Sequence, residues 1–404
     1  MSETITSPAG RSAAQTPPTP APARHWRFRV LPADPQARRF FWWQLATPFV
    51  AIIFASFIGS LIMLAIGKNP LTVYAEMFAF SFGRIDSVAT ILFRATPLIF
   101  AGLACAISFR VNLFNIGVEG QYLIGAVFAS IVGFGLKGLP AYIHLPLVII
   151  AAMVGGVLWA WLPAYLRVKR GVHEVISTIM MNYIAFSLMH WLIADVFLDK
   201  TQVVGAGGMG SPRVRMPIIQ PSARIPTMHG FFAHLGINFP AYVYVNWLLF
   251  VGIALAAVLY YVIWRTPYGY EIRAVAQNPD AAEAAGIDAR RQMFRTFLIS
   301  GAIAGLVGLS DLLAFFGYLD IDFPRGRGFD GIAVALLGKN DPFGVILGAL
   351  LFGFLSRGAE GVQVFAGVPA EVITIIQGVM ILSIVVAYEI VTRYIRIQKK
   401  KEAQ

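Results

Sequence analysis

The sequence predicts an all-α polytopic membrane protein with about ten transmembrane segments, including a re-entrant half-span. Composition is the first reason: of 404 residues, 57% are hydrophobic and only 13% charged, against about 25% charged in an ordinary soluble domain. The second is where charges are missing. Uncharged runs cover 40–67, 95–109, 120–136, 138–166, 175–194, 225–264, 296–310, 342–356 and 372–388. A hydrocarbon core about 30 Å thick needs about 20 apolar residues per helix, so several of these runs can span it. The third is where charges remain. Basic residues gather at 24–39, at Arg167, Lys169 and Arg170, at Arg290, Arg291 and Arg295, and at 393–401, always beside the ends of runs. Such placement orients helices during insertion. The net charge of +11 therefore reads as a topology signal, and no nucleic-acid partner is expected.

Residues 1–40 are rich in Pro, Ala, Ser and Thr with almost nothing to bury, which predicts a disordered cytoplasmic tail. No short apolar stretch with a small-residue cleavage site follows its charges, so the first apolar run is expected to remain as a span. Spans are expected near 47–66, 90–108, 112–134, 144–166 and 175–197. Residues 198–240, with GAGGMGSP and several prolines, predict a long polar extracytoplasmic loop. Further spans are expected near 242–264 and 292–315, separated by a polar cytoplasmic segment, 265–292.

The remaining segments follow from parity. Basic termini on the cytoplasmic side demand an even number of crossings, and taking 329–355 as one helix gives nine. The GKNDP stretch at 338–342 is a turn signal in the middle of that run. Only about ten apolar residues precede it, too few to cross. We therefore expect a half-span followed by a full helix, with the non-helical backbone enclosed by protein or a water-filled cavity. The last span is expected near 371–388, so that the membrane unit covers 41–395 before a short basic tail, 396–404. FNIGVEGQYLIGAVFASIVG and FDGIAVALLGKNDPFGVILGAL are weakly alike, as two structural repeats flanking a pathway would be.

Polar residues inside the apolar runs are the candidate chemistry. In FRVNLFNIGVEGQYLIGA, Asn112, Asn115, Glu119 and Tyr122 stand at i, i+3, i+7 and i+10, one face of a helix, with Gln121 beside them. A carboxylate in a membrane segment costs about 2.5–3.5 kcal/mol unless it is paired or solvated. That face must look into a bundle interior or an aqueous path, and a structural hydrogen-bond cluster joining helices is the competing reading. Glu174, Thr178 and Asn182 repeat at i+4 and form a second polar stripe. Arg94 is expected to pair with Glu119 or Glu174, and Pro97 to kink or break its helix. In the segment between the spans near 242–264 and 292–315, a helix is expected to open at Asn278–Pro279 and close at Gly286. It is either interfacial packing or a docking element.

Catalysis by this chain is not expected. Neither Gly-Lys pair sits in a GxxxxGK[ST] loop, so ATP phosphates are not cradled in that way. Metal-ligand spacing and a nucleophile elbow are lacking, the six His are scattered, and the single Cys105 allows no intrachain disulfide.

FNIGVEGQYLIGA, HEVISTIMMNYIA and AVAQNPDAAEAAGID resemble the permease subunits of bacterial ABC importers, in the branch shared by simple-sugar and nucleoside systems. The first two stretches resemble the nucleoside-type subgroup, and the similarity covers 41–395. The resemblance implies a type II-like permease in the inner membrane, with both termini cytoplasmic. Its implied partners are a second homologous permease or a second copy, cytoplasmic ATPase subunits carrying ATP-Mg, and an extracytoplasmic substrate-binding lipoprotein. No cofactor is expected on this chain itself. Nucleosides, purine nucleosides above all, are the implied cargo, with a ribose-like sugar as the alternative. An ion-coupled secondary transporter, with Glu119 and Glu174 carrying protons, would have no need of a docking helix.

On this resemblance Asn278, Pro279, Ala282, Glu283, Ala284, Ala285, Gly286 and Ile287 correspond to the coupling helix that seats in the ATPase. Glu283, Ala284, Ala285 and Gly286 resemble the EAA…G signature of such permeases. Asn112, Asn115, Glu119, Gln121, Tyr122, Glu174, Thr178 and Asn182 would line or shape the central path. The long Pro-rich amino-terminal tail departs from the family pattern.

Overall fold

A computed structural model describes residues 50–397, except 51, 201–212, 235, 238, 241 and scattered positions from 370 onward. The expected tail 1–40 and, apart from Ile397, the tail 396–404 lie outside the described residues. So does part of the last expected span; its described positions, such as 371–372 and 377–379, are helical.

The described chain is helical, and its only strand-like pairings are isolated bridges, Arg215 with Asp320 and Thr227 with Asn246. Helix α1 runs Ile52–Ala65 and meets α2, Pro70–Phe82, at a bend of 116°. Sequence alone placed one span at 47–66 and overlooked α2. The bend is made by Gly67, at a φ of +75°, and by the Asn69 side chain capping α2 ahead of Pro70. Next come α3, Ile85–Phe109; α4, Val118–Gly135; α5, Ala141–Arg170; and α6, Glu174–Trp191. Short α7, His229–His234, precedes α8, Leu248–Arg265. Two polar helices follow, α9, Pro267–Gln277, and α10, Pro279–Ala284. The chain continues as α11, Ala289–Gly305; α12, Arg327–Leu337; and α13, Pro342–Phe365.

Six of these helices are long and apolar enough to cross a membrane, or up to seven if α1 and α2 count as one span. The expected span at 292–315 is interrupted. α11 stops at Gly305, a turn follows, and a π-helical turn, Asp311–Phe316, completes it. The turn expected at 338–342 is present. It separates the 11-residue α12 from α13, with Lys339 and Asn340 both at a φ of +56° and Asp341 capping α13. Pro97 does not break α3, which runs through it and is 25 residues long in all.

Helix α3 is the axis of the fold, packed by α11, α12 and α13 and buried along most of its length. Helix α5 lies across α4 and α11. There Gly156 faces Gly301 so closely that a Cβ on Gly156 would collide with the Gly301 carbonyl. Small residues replace side-chain interdigitation by backbone approach, the usual solution where lipid removes the hydrophobic incentive for helices to pair.

The expected polar loop is not simply solvated. Its part from 213 onward buries Met216, Ile219, Ala223 and Ile225 against the helices. Backbone bonds from Met216 to Leu319 and from Ile219 to Gly317, at 2.8 and 2.9 Å, tie it to the segment after the π-turn. Nor do the two similar stretches adopt matching structure. The first begins in non-helical backbone at 114–117 and becomes α4, whereas the second is helical from its first residue and breaks only at 338–341.

Candidate functional site

The polar stretch that opened the sequence question straddles a break. Helix α3 ends at Phe109 and α4 starts at Val118, leaving 110–117 as tight turns and irregular backbone outside either helix. Asn112 and Asn115 therefore do not extend the face of α4, contrary to the i, i+3, i+7 reading. Asn112 sits in the left-handed region, φ 55°, which a short polar residue tolerates.

Each of the predicted residues has a partner at or near this break. Asn115 and Gln121 exchange amide bonds at 3.0 and 3.1 Å; Asn115 also donates to Ser300 at 2.9 Å and accepts from the Gly117 amide at 3.0 Å. From α6, Glu174 accepts from the Phe114 amide at 3.2 Å and forms an ion pair with Arg167 at 3.1 Å. Asn182 bridges the break, donating to the Ile116 carbonyl at 3.1 Å and accepting from the Gly120 amide at 2.9 Å. Thr178 donates back to the Glu174 carbonyl at 2.8 Å. Asn115, Glu119, Gln121, Tyr122 and Thr178 are fully buried. The amides and carboxylates thus supply the bonds that interrupted backbone loses inside an apolar bundle.

Glu119 performs this service for a different element. Its carboxylate accepts amide bonds from Gly326 at 2.7 Å and Gly328 at 2.9 Å, at the start of α12, and the Tyr122 hydroxyl lies 3.2 Å away. A helix amino terminus presents free amides and the positive end of its dipole, so a carboxylate there is doubly favoured.

Arg94 does not meet Glu119 or Glu174. It bonds Glu360 and, at 2.6 Å, the Ser356 hydroxyl, both on α13. Arg94 lies well before the end of α3, some 22 Å along the axis at 1.5 Å per residue, and cannot reach Glu174 at the break.

Sequence reading missed the cavity that this arginine lines. It holds about 350 Å³ and is walled by α3, the chain before α8, the π-turn, the chain leading into α12, and α13. Phe93, Tyr244 and Phe315 form one wall, Tyr244 meeting Phe315 edge-on with ring centroids 4.7 Å apart. Arg94, Arg357 and Glu360 also line it, with Arg357 bonded to Glu360 at 2.5 Å. Asp311 and Arg327 face each other at 3.6 Å. At the rim Tyr242 donates to Asp86 at 2.7 Å; that bond, and then burial, holds its phenol above the usual pKa. The clue in the sequence was Asp311 and Arg327 beside apolar runs, residues with no simple helical spacing between them.

The polar segment between α8 and α11 folds as expected at its core. Asn278 caps α10 by accepting from the Asp280 and Ala281 amides at 3.0 and 3.1 Å, and Gly286 leaves it at a φ of +84°. Asn278, Pro279, Glu283, Ala284, Ala285 and Gly286 are exposed. Ala282 is buried with Val275 and Ala289, and Ile287 packs on them. These two residues support the segment from beneath and offer little to an outside partner. The Asn112 side chain donates to the Ala276 carbonyl at 2.6 Å, joining the break to this segment.

Among the described residues no cluster of His, Cys, Asp or Glu could hold a metal ion. Residues 87–385 match the family model described as branched-chain amino acid transport system / permease component. The chain is 39% identical to the guanosine ABC transporter permease NupP of Bacillus subtilis over 359 residues, 89% of this chain and 97% of that relative. It is 33% identical to the glucose ABC transporter permease TsgB13 of Haloferax volcanii, covering 90% of this chain and 93% of that protein. Identity to the nucleoside ABC transporter permease NupB of Lactococcus lactis is also 33%, over 85% of this chain and 92% of the relative.

Proposed function

The chain belongs to the branched-chain amino acid transport system / permease component family, and from that premise we propose that it is the membrane permease subunit of an ATP-driven importer of nucleosides, purine nucleosides foremost. The observation that carries the cargo is the 39% identity to a guanosine permease over 97% of that relative's length. In this reading the multi-pass chain lies in the inner membrane with both termini cytoplasmic. Ten segments cross or enter the bilayer, α12 being the half-span and 41–395 the membrane domain. Residues 198–240 then face the outside and 265–292 the cytoplasm.

ATP hydrolysis belongs to partner ATPase subunits that carry ATP-Mg; this chain binds no cofactor. The exposed face of α10, Asn278, Pro279 and Glu283 to Gly286, is the ATPase contact. A second permease, homologous or identical, completes the pathway, and a substrate-binding lipoprotein delivers the cargo. The polar set at the break, Asn112, Asn115, Gln121, Glu174, Thr178 and Asn182, together with Glu119 and Tyr122, shapes the pathway by fixing the ends of α3, α4 and α12.

A sugar cargo is the second reading, favoured by the 33% identity to a glucose permease. Uptake of radiolabelled guanosine and adenosine decides between them, in cells carrying the whole transport operon with and without this gene, competed by unlabelled ribose. Nucleoside uptake that disappears on deletion and ignores ribose supports the proposal. Nucleoside uptake that survives deletion, while ribose uptake falls, moves the cargo to sugars.

A further inference from the structure

The aromatic and charged cavity lies wholly within this chain and is separate from the polar residues that secure the break. Its volume of about 350 Å³ is within the range of small-molecule sites, about 300–1,000 Å³, and such sites combine apolar walls with a few convergent polar groups. We propose that it is a nucleoside subsite, the base lying against Tyr244 and Phe315 and the ribose 2′,3′-diol bonding to the Asp311 carboxylate. This assignment rests on the nucleoside reading above and adds to it a place and a set of contacts within a single permease.

Three features carry it. Phe93, Tyr244 and Phe315 make one continuous aromatic wall, with centroid separations of 6.2, 6.1 and 4.7 Å among them. Phe315 is 45% exposed although neighbouring Leu312 and Leu313 are buried, so part of the ring is accessible. Aromatic faces of this kind hold a heteroaromatic base without demanding its identity.

The second feature is Asp311. The residue is only 4% exposed, yet its side chain accepts no hydrogen bond among the described residues. Its one ion pair, to Arg327, is 3.6 Å long. A carboxylate has room for several donors, and Asp311 lines the cavity, where a ligand can supply them. A vicinal diol offers two O–H donors at the spacing of two carboxylate oxygens.

The third is contrast within the same cavity. Both oxygens of Glu360 are already bonded, to Arg94 and Arg357, so Asp311 is the less engaged acceptor in the cavity. Its neighbour Arg327 opens α12, whose first amides Glu119 already occupies.

The test uses the complete complex in proteoliposomes: this permease, its partner permease, the ATPase and the capture protein. Radiolabelled 8-azidoguanosine is photolysed in the intact wild-type complex and the labelled peptides are mapped. Label on the peptides holding Tyr244 or Phe315, blocked by unlabelled guanosine, is the expected result. Label confined to other residues overturns the assignment. In parallel, Asp311→Asn is expected to lower guanosine uptake about tenfold while changing 2′,3′-dideoxyguanosine uptake no more than about threefold. Equal losses for both nucleosides, or no loss, overturn the role of the carboxylate. Should Asp311→Asn fail to assemble, the photolabel on the wild-type complex decides alone. If the wild-type complex carries ribose and no nucleoside, it is the cargo reading that fails. If it carries nucleosides and labels elsewhere, the cargo stands and the subsite falls.

Discussion

Glu119 on α4 and Gly328 on α12 meet across the bundle, the carboxylate accepting the glycine amide at 2.9 Å while Gly326 donates to its other oxygen at 2.7 Å. Two helices that start inside the structure are thereby locked at one point. Leaving buried amides without an acceptor costs about 1–3 kcal/mol each. Glu119→Ala is expected to lower the thermal midpoint of the detergent-purified protein by several degrees, with Glu119→Gln intermediate because its amide keeps one acceptor oxygen and turns an NH2 donor toward the other glycine amide. A scanning-fluorimetry midpoint unchanged in Glu119→Ala would show that the bond is idle.

The same contact makes glycine obligatory at 328. A Cβ there would collide with the backbone of Glu119 and Val118, and neither backbone can yield without moving α4. Gly328→Ala is therefore expected to destabilise by about 1–3 kcal/mol, as overpacking does. Gly135→Ala, where a Cβ meets open space, is the matched control and should change the midpoint by less than a degree or two. Equal midpoints for the two variants would remove the steric argument.

Glu360 is shared between Arg94 and Arg357. Removing one arginine leaves the carboxylate paired, but removing the carboxylate leaves two cations facing each other beside the cavity. The order expected in a stability series is Glu360→Ala worse than Arg94→Ala or Arg357→Ala, by about 1 kcal/mol after allowance for partial solvent screening. A double-mutant cycle over these residues measures the coupling, and additive losses would refute the shared-acceptor picture.

Exposed Glu283 and buried Ala282 are adjacent in the chain and should behave oppositely. Glu283→Arg is expected to leave the midpoint within a degree or two but to cut transport-coupled ATP hydrolysis at least about tenfold, a repulsive charge at a docking face. Ala282→Glu places a carboxylate among Val275 and Ala289 and should destabilise the protein outright. ATPase assays on the assembled complex, with melting curves of both variants, separate the cases; a Glu283→Arg complex with normal coupling would dismiss α10 as the contact.

Much of this architecture was readable from charge and turn signals alone. Long uncharged runs located the major helices, GKNDP marked the turn between α12 and α13, and Asn278–Pro279 gave the start of α10. Glu119, Gln121 and Tyr122 lie on a helix as expected, but Asn112 and Asn115 do not. Asn112 and Asn115 have helical spacing to Glu119, and spacing cannot reveal that the backbone at 110–117 is not helical. Arg94 was noticed without its partner, because Glu360 stands 266 positions away and only the pairing of α3 with α13 brings them together. The cavity was invisible for the same reason: its walls come from five separate regions. Proline misled in the other direction, since Pro97 lies inside α3 without ending it.

The bond from Asn112 to the Ala276 carbonyl gives the break at 110–117 a second identity. It is tethered at one end to the polar helices and, through α4 and Glu119, to the first turn of α12, which carries Arg327 toward Asp311. The stretch itself is held by tight turns at 110–112 and by the side chains of Asn115, Glu174 and Asn182. A displacement at Ala276 would therefore meet side-chain bonds, not a helical ladder, on its way to α4.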